Sequence, residues 1–348
     1  MEKLNIGIVG LNFGRGGIIE SQLLKGPGSA YFNLAAVCDF DREKCSRLAA
    51  EYGVKAYFDI ESLAADADIP VVGLFTGPVG RAKQIRRLIA AGKDVMTTKP
   101  FEIDHVEGLA VLKEAKALGR VVHLNSPAPV VDGGLKQIRE WVAEYNLGRP
   151  IACRCDDWVS YREKPGGTWY DDPDLCPAAP VYRLGIYPIN DLYRIFGEAD
   201  KVHVMQSRIF TGRPTSDNAQ VGILFKNGAI ANVFASFCVK DGQHYGNPFV
   251  LNYENGTIYR NIGPLERAAG HEAGPEMTLV MAGDGEKNRI IRKRAKIASG
   301  DYRWDVLYEA VRGNPPEDEI TPEGVVHGVK IIDALLRSQK SGRTEDVG

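Results

Sequence analysis

The sequence predicts an α/β chain in two parts. A doubly wound parallel sheet occupies residues 1–125, and an α+β domain with a large, mostly antiparallel open sheet occupies 126–348. Three observations carry this. Short apolar runs alternate with helical stripes through the first third, the pattern of βαβ units. After the turn Asn146-Leu147-Gly148 that alternation gives way to longer strands. Two Asn-Gly turns, Lys226-Asn227-Gly228 and Glu254-Asn255-Gly256, then sit between apolar runs, and such turns make hairpins.

In order, Leu4–Gly10 is an apolar strand that enters a glycine-rich turn. A helix follows with Ile18, Ile19, Leu23 and Leu24 on one side, closed by Gly26-Pro27-Gly28. Leu34–Cys38 is a second strand and stops at Asp39. Arg42–Tyr52 is a helix with Cys45, Leu48, Ala49 and Tyr52 inward, ended by Gly53. Val71–Phe75 is a third strand, and Arg81–Ala91 a helix striped by Ile85, Leu88 and Ile89. A strand ending at Lys99, a helix over 104–118 and the strand Val121–Leu124 complete the series. Right-handed crossovers make this a doubly wound layer.

In the second part, a helix over Gly133–Tyr145 precedes sheet segments at Ile151–Ser160, Lys201–Thr211, Ala219–Phe225 and Ala229–Cys238. A last helix, 322–338, carries the stripe Val325, Val329, Ile332, Leu335 and Leu336. Its spacing is that of a half-buried helix.

The 348 residues leave room for two domains, and 44% hydrophobic with 25% charged content is ordinary for a globular chain. A net charge of −2 gives no reason to expect nucleic acid or an anionic membrane as partner. No apolar run reaches a membrane-spanning length. Met1-Glu2-Lys3-Leu4 leads straight into a strand, so no secretory signal is expected. The six cysteines are scattered and read as reduced thiols, which predicts a cytoplasmic location. The six histidines are dispersed, and no metal is expected. His244 alone is a histidine with reach toward a cleft.

The first turn bears on chemistry. Gly10-Leu11-Asn12-Phe13-Gly14-Arg15-Gly16 is an irregular form of G-x-G-x-x-G. Gly10 is in place, Asn12 holds the second glycine position and Arg15 the third. Asn tolerates positive φ better than most residues. Asp39 ends the next strand, where an acid bonds adenosine ribose hydroxyls. Its charge opposes a 2′-phosphate, so NAD is expected over NADP, with Arg42 moderating that preference. The turn Thr76-Gly77-Pro78 would border the same crevice.

Lys99 closes an apolar run and Pro100 follows at once. Proline removes a donor and restricts its predecessor, which stops a strand and holds one ammonium at its carboxyl end. In open α/β sheets that end is where ligands sit.

A dinucleotide-type half, an acid after the second strand and Lys-Pro after a later one together resemble the Gfo/Idh/MocA family of oxidoreductases, over nearly the whole chain. The resemblance implies a Rossmann domain, and Thr98-Lys99-Pro100 stands where members usually have Glu-Lys-Pro. It implies that Lys99 contacts both substrate and the nicotinamide ribose, and that Asn125 borders the nicotinamide. It also implies homodimers or homotetramers through the open sheet, and a last helix that packs back on the first domain.

Residues 183–191, Arg-Leu-Gly-Ile-Tyr-Pro-Ile-Asn-Asp, begin a helix that runs to Gly197. Most members read Asp-x-Gly-x-His-x-x-Asp there. Here Arg183, Tyr187 and Asn190 replace the two aspartates and the histidine, and Gly-Ile-Tyr-x-x-Asn is similar to the glucose–fructose oxidoreductase branch. The expected base is therefore Tyr187. A free phenol titrates at about 10, and neighbouring cations favour the phenolate. Lys99 and Arg183 are the expected cations, with recognition of a substrate carboxylate or sulfonate open as the other role of Arg183. Asn190 is expected at the substrate.

Trp158, Tyr161 and Trp169 lie in a stretch rich in Asp, Arg and Gly, a composition suited to stacking on sugar rings. The expectation is an NAD-dependent dehydrogenase for a secondary hydroxyl of a sugar, glycoside or cyclitol. Two alternatives stay open: transient oxidation of a glycoside on retained NAD, and a non-catalytic NAD-binding sensor.

Overall fold

The structure, a computed structural model, describes residues 2–131, 133–241, 246–261, 276–283, 287–295 and 300–348. It divides into two compact units, Met1–Val130 with Tyr302–Val326, and Val131–Asp301 with His327–Gly348. His244 lies outside the described residues.

In the first unit six strands are β1 Leu4–Val9, β2 Phe32–Cys38, β3 Lys55–Tyr57, β4 Val71–Leu74, β5 Asp94–Thr97 and β6 Val122–Leu124. Every pair is parallel and the order is β3-β2-β1-β4-β5-β6. The order reverses between β1 and β4, so the turns at Gly10 and Thr76 flank the switch point where such sheets bind ligands. The helices begin as the sequence dictates. Asp41 accepts from the Lys44 N–H (3.0 Å) to start Arg42–Tyr52, which Gly53 ends in left-handed backbone at φ 67°. Asp104 caps His105–Ala117 in the same way.

Three expectations need correction here. The helix after Gly10 is a short α turn, Leu11–Phe13, followed by a π-helix, Gly14–Leu23. The wider i→i+5 ladder, seen in the bond from the Leu24 N–H to the Ile19 carbonyl (2.9 Å), rotates the face and leaves Leu24 exposed. Strand β3 and the helix Ile60–Ala64 were not predicted, being too short for a periodicity to register. Residues 302–326, expected in the second domain, group with the first. Trp304 and Tyr308, on the helix Trp304–Val311, bury against Phe32 with ring centroids 5.6 and 6.1 Å away. Each such burial contributes roughly 1.5–3 kcal/mol, ample to fix that segment.

The second unit holds β7 Pro150–Trp158, β8 Ala199–Ser207, β9 Asn218–Phe225, β10 Ile230–Ser236, β11 Phe249–Tyr253, β12 Gly256–Arg260, β13 Glu276–Ala282, β14 Asn288–Arg294 and β15 Glu345–Asp346. Their order is β14-β13-β12-β11-β7-β10-β9-β8-β15. Among the described strands of this sheet, only β7 and β10 pair in parallel. Both Asn-Gly segments make hairpins, β9–β10 and β11–β12. β8 stops at Ser207, short of the expected 211, because Asp217 gathers the N–H groups of Ile209, Phe210 and Thr211 and turns the chain. The strands β13 and β14 were not foreseen.

The last helix runs Pro322–Ser341 and divides at Val326 between the units. It was expected to pack back on the first domain, but its residues from His327 onward group with the second unit. From His327 onward it is tied into the second unit: His327 Nε2 accepts from the Ala199 N–H (3.0 Å) and Ser338 Oγ from the Val204 N–H (3.2 Å).

Candidate active-site residues

The candidate residues occur in both units, and each set is built differently. In the first unit Gly10 sits at φ 88°, and a Cβ there would lie 2.8 Å from the Phe75 backbone. Only glycine fits. Gly14 is buried, and a Cβ on it would meet Ile8 of β1 at 2.9 Å. Gly14 thus performs the close helix–strand packing of the third fingerprint glycine, which the sequence reading placed at Arg15. The π-helix absorbs the shift in spacing. Asn12 is helical and needs no positive φ. Arg15 spends its guanidinium on Glu20 (2.8 Å) and Glu51 (3.4 Å), so its side chain does not serve the turn. Phe13 is half exposed beside Phe75, with centroids 5.9 Å apart.

Asp39 is buried and already employed. Its Oδ2 accepts from the Leu11 N–H (2.9 Å), its Oδ1 from the Asp41 N–H (3.0 Å), and Lys44 Nζ lies 3.1 Å from Oδ2. Lys44 also donates to Asn12 Oδ1 (2.9 Å). Asp39 was expected simply as a ribose acceptor. The structure makes it first the pin that joins β2, the glycine turn and the next helix.

Lys99 follows β5, at the carboxyl edge of the same sheet, and its peptide bond to Pro100 is cis. Its surroundings are built from backbone groups. The Lys99 N–H donates to Asn125 Oδ1 (3.1 Å), which also accepts from the Thr98 hydroxyl (3.0 Å). Tyr302 donates to Thr98 Oγ1 (3.1 Å), and burial pushes the Tyr302 phenol up to about 12, so it stays a donor. Beneath them lies Arg81, buried, with Nη1 donating to the carbonyls of Thr98 (2.6 Å), Pro100 and Phe101 (3.3 Å) and Nη2 to that of Thr76. One guanidinium therefore ties the Thr76 turn to the Lys99 turn. Glu102, also buried, accepts from the N–H groups of Ala82 (2.7 Å) and Ile103 (2.8 Å). Thr76 itself donates to Gln84 Oε1 (2.6 Å). Arg81, Glu102 and Tyr302 went unrecognised in the sequence, where each reads as an ordinary helix-start or loop residue.

In the second unit, Arg183 lies in a π-helical turn, Val181–Gly185, that passes directly into the helix Ile186–Phe196. It is buried and paired in bidentate fashion with Glu163 (2.6 and 3.0 Å). Its guanidinium lies 3.8 Å from the Tyr170 ring centroid, 4.7 Å from Phe237 and 5.3 Å from Tyr161. Arg213 adds a second contact to Glu163 (3.1 Å) and one to Asp171 (3.2 Å). Burial pushes the Glu163 carboxyl up, but the hydrogen bonds and charge of Arg183, with Arg213, outweigh it and hold it below the ordinary value. Arg183 was expected to assist Tyr187 or receive a substrate anion. In the structure Glu163 meets its charge.

Tyr187 opens the helix half-buried, its ring against Gly300, where a Cβ would lie 2.6 Å from it. Gly300 stands at φ 93°. Asn190 is buried with Oδ1 against Gly328 of the last helix, a helix–helix contact that competes with its expected substrate role. Trp158 donates Nε1 to Asp241 (2.9 Å). Tyr161 packs on Phe237 (5.5 Å) and Trp169 on Tyr170 (4.2 Å), so both belong to the rings around Arg183. Among the described residues no group of three or more His, Cys, Asp or Glu is placed to hold a metal ion. No helix among them is long and apolar enough to cross a membrane.

The first-unit residues fit a dinucleotide on their own geometry: a turn only glycine can make, N–H groups opening a helix, and an acid–lysine pair at the next strand end. The comparisons agree. Residues 4–126 match the family model for the oxidoreductase family with an NAD-binding Rossmann fold, and residues 135–259 that for the GFO/IDH/MocA C-terminal domain. The oxidoreductase YhhX of Escherichia coli (strain K12) is 22% identical over 74% of this chain and 75% of its own. A levoglucosan dehydrogenase solved with NADH and levoglucosan is 19% identical, covers 100% of both chains and has a TM-score of 0.76. The aldose–aldose oxidoreductase of Caulobacter crescentus, solved with glycerol, is 20% identical over 99% of this chain and 100% of its own, with a TM-score of 0.75.

Proposed function

Because the chain belongs to the Gfo/Idh/MocA family of oxidoreductases, we propose that it exchanges a hydride between NAD and a secondary hydroxyl of a sugar, glycoside or cyclitol. When bound, NAD supplies the ring that accepts or gives the hydride. The chain's residues bind, orient and move the proton. The pyrophosphate would lie over Gly10 and the N–H groups of Asn12 and Phe13, with Asp39 and Thr76 bordering the crevice. Lys99 hydrogen-bonds the reacting hydroxyl and stabilises the alkoxide. Tyr187 takes the hydroxyl proton. Trp158, Tyr161 and Trp169 are the proposed ring-stacking contacts, Asn125 borders the nicotinamide, and a homodimer or homotetramer forms through the second sheet.

The observation that carries this reading is the support of Lys99. Its N–H is held by Asn125, and the carbonyls on either side of it, Thr98 and Pro100, are held by Arg81. A surface lysine needs no such scaffold. The levoglucosan and aldose–aldose enzymes, sugar oxidoreductases by name, add support for the substrate class. A sugar and polyol panel, followed by NADH absorbance, tests it; no reduction of NAD by any of them, with NADH binding intact, would refute it.

A further inference from the structure

We infer that Tyr302 is a positioning residue for Lys99, acting through a directed hydrogen-bond relay from its phenol to the Thr98 hydroxyl and on to the Asn125 side chain. This rests on the proposed function and deepens it, by naming a further residue on which the role of Lys99 depends. All four residues belong to the first unit. The direction of the relay follows from one group that cannot be reversed. The Lys99 backbone N–H is only a donor, so the Asn125 atom it meets at 3.1 Å is the amide oxygen. That oxygen also meets the Thr98 hydroxyl at 3.0 Å, so the hydroxyl gives its proton there. A hydroxyl has a single proton to give. The Tyr302 phenol, 3.1 Å from Thr98 Oγ1, is therefore the donor at the head of the chain.

A donor bonded to a hydroxyl oxygen strengthens the bond that hydroxyl gives. The other acceptor within reach of Thr98 Oγ1, the Lys99 carbonyl, lies farther off at 3.4 Å. Without the phenol, the Thr98 proton is free to turn to that carbonyl. Asn125 Oδ1 then loses one of the two bonds that hold it against the Lys99 N–H. The head of the relay is itself held. The Tyr302 ring stacks on buried Trp304 at 5.9 Å and 24°, and meets Phe75 edge-on at 6.2 Å. Burial pushes its phenol up to about 12, so the proton stays in place through the neutral range. Phenylalanine would make the same ring contacts. The hydroxyl is what reaches Thr98, and it adds a side-chain hold to the carbonyl hold of Arg81 on the same residue (2.6 Å).

The test compares wild type with Tyr302→Phe, Thr98→Val, their double variant and Thr98→Ser. Two readouts are taken: amide hydrogen exchange at Lys99 by mass spectrometry, and steady-state kinetics on the best sugar of the panel. Tyr302→Phe keeps the ring packing, and should speed exchange of the Lys99 amide about three- to tenfold. It should lower kcat by a similar factor, while KM and the NADH dissociation constant move less than about twofold. Thr98→Val should do the same, and the double variant no more than either alone, because both cut one chain. Thr98→Ser keeps the hydroxyl and should return exchange and kcat to within about twofold of wild type. Unchanged exchange in Tyr302→Phe, or losses that add in the double variant, overturns the relay. Faster exchange with kcat unmoved overturns the positioning role. If no sugar reduces NAD, the proposed function fails, and the exchange comparison still decides whether Tyr302 holds Lys99.

Discussion

The two units hold their proposed site residues by opposite means. Lys99 is fixed through backbone groups at strand ends, with Arg81 and Asn125 as the clamps. Tyr187 begins a helix whose neighbouring turn is fixed by side-chain charge, Arg183 against Glu163 and Glu163 against Arg213. A clamp on carbonyls holds its geometry at any pH a protein survives. An ion-pair network depends on each charge and on the loop that carries it. The first unit should therefore be the harder to perturb by pH or point charge at its site, and the more costly to damage by deletion.

The largest effect expected in testing this contrast is at Arg81. Replacing it with alanine leaves the Thr76, Thr98, Pro100 and Phe101 carbonyls without their donor. Each orphaned buried acceptor costs about 1–3 kcal/mol, so thermal denaturation should show a loss of several kcal/mol or no folded protein. A variant as stable as wild type would remove the clamp from the account. Glu163→Ala in the second unit should cost less, about 1–3 kcal/mol, since its carboxylate is partly exposed and screened. Its effect should appear instead as a changed response to salt.

The pH profile sharpens the comparison. His123 on β6 is buried, neither ring nitrogen has a hydrogen-bond partner among the described residues, and burial pushes it down to about 3. The unfolded ring takes its proton near 6.5. Stability is therefore complete above that value and drains as pH falls toward 3, by up to about 1.4 kcal/mol per pH unit. His123→Leu should flatten this slope between pH 6.5 and 4 in a series of melts. His327, in the second unit, is pushed down by burial only to about 4, so its window closes sooner. The Glu163 carboxyl runs in the same direction but lower: its contribution is present above the ordinary glutamate value of about 4.3 and is lost as pH falls through its depressed folded value.

The smallest structural change tested is Gly300→Ala. The φ of 93° and the 2.6 Å approach to the Tyr187 ring predict a shifted phenol. Turnover should fall while NADH affinity holds; an unchanged kcat would show that Gly300 does not position Tyr187.

Strand ends carry the legible part of this molecule. The alternation of runs gave the parallel sheet, and Gly10, Asp39 and Lys99 each stand at the carboxyl end of a strand that periodicity finds. Asn-Gly turns gave two hairpins of the second sheet. What stayed hidden depends on distance in sequence. Tyr302 reaches Thr98 across 204 residues, and no local pattern marks it. Glu163 and Arg183 were both visible as charges, yet their pairing follows from a loop whose path periodicity does not describe. The π-helix hid Gly14 as the packing glycine, because its wider ladder moves the face that a 3.6-residue period assumes.

The account rests on Lys99 and Tyr187 as its two proposed catalytic residues. Its most direct test is single-turnover reduction of NAD by the best substrate from the sugar panel, in wild type, Lys99→Ala and Tyr187→Phe. Each variant should lower the rate by about 10²–10⁴-fold, with NADH still bound by Tyr187→Phe. A wild-type rate in either variant would contradict the account.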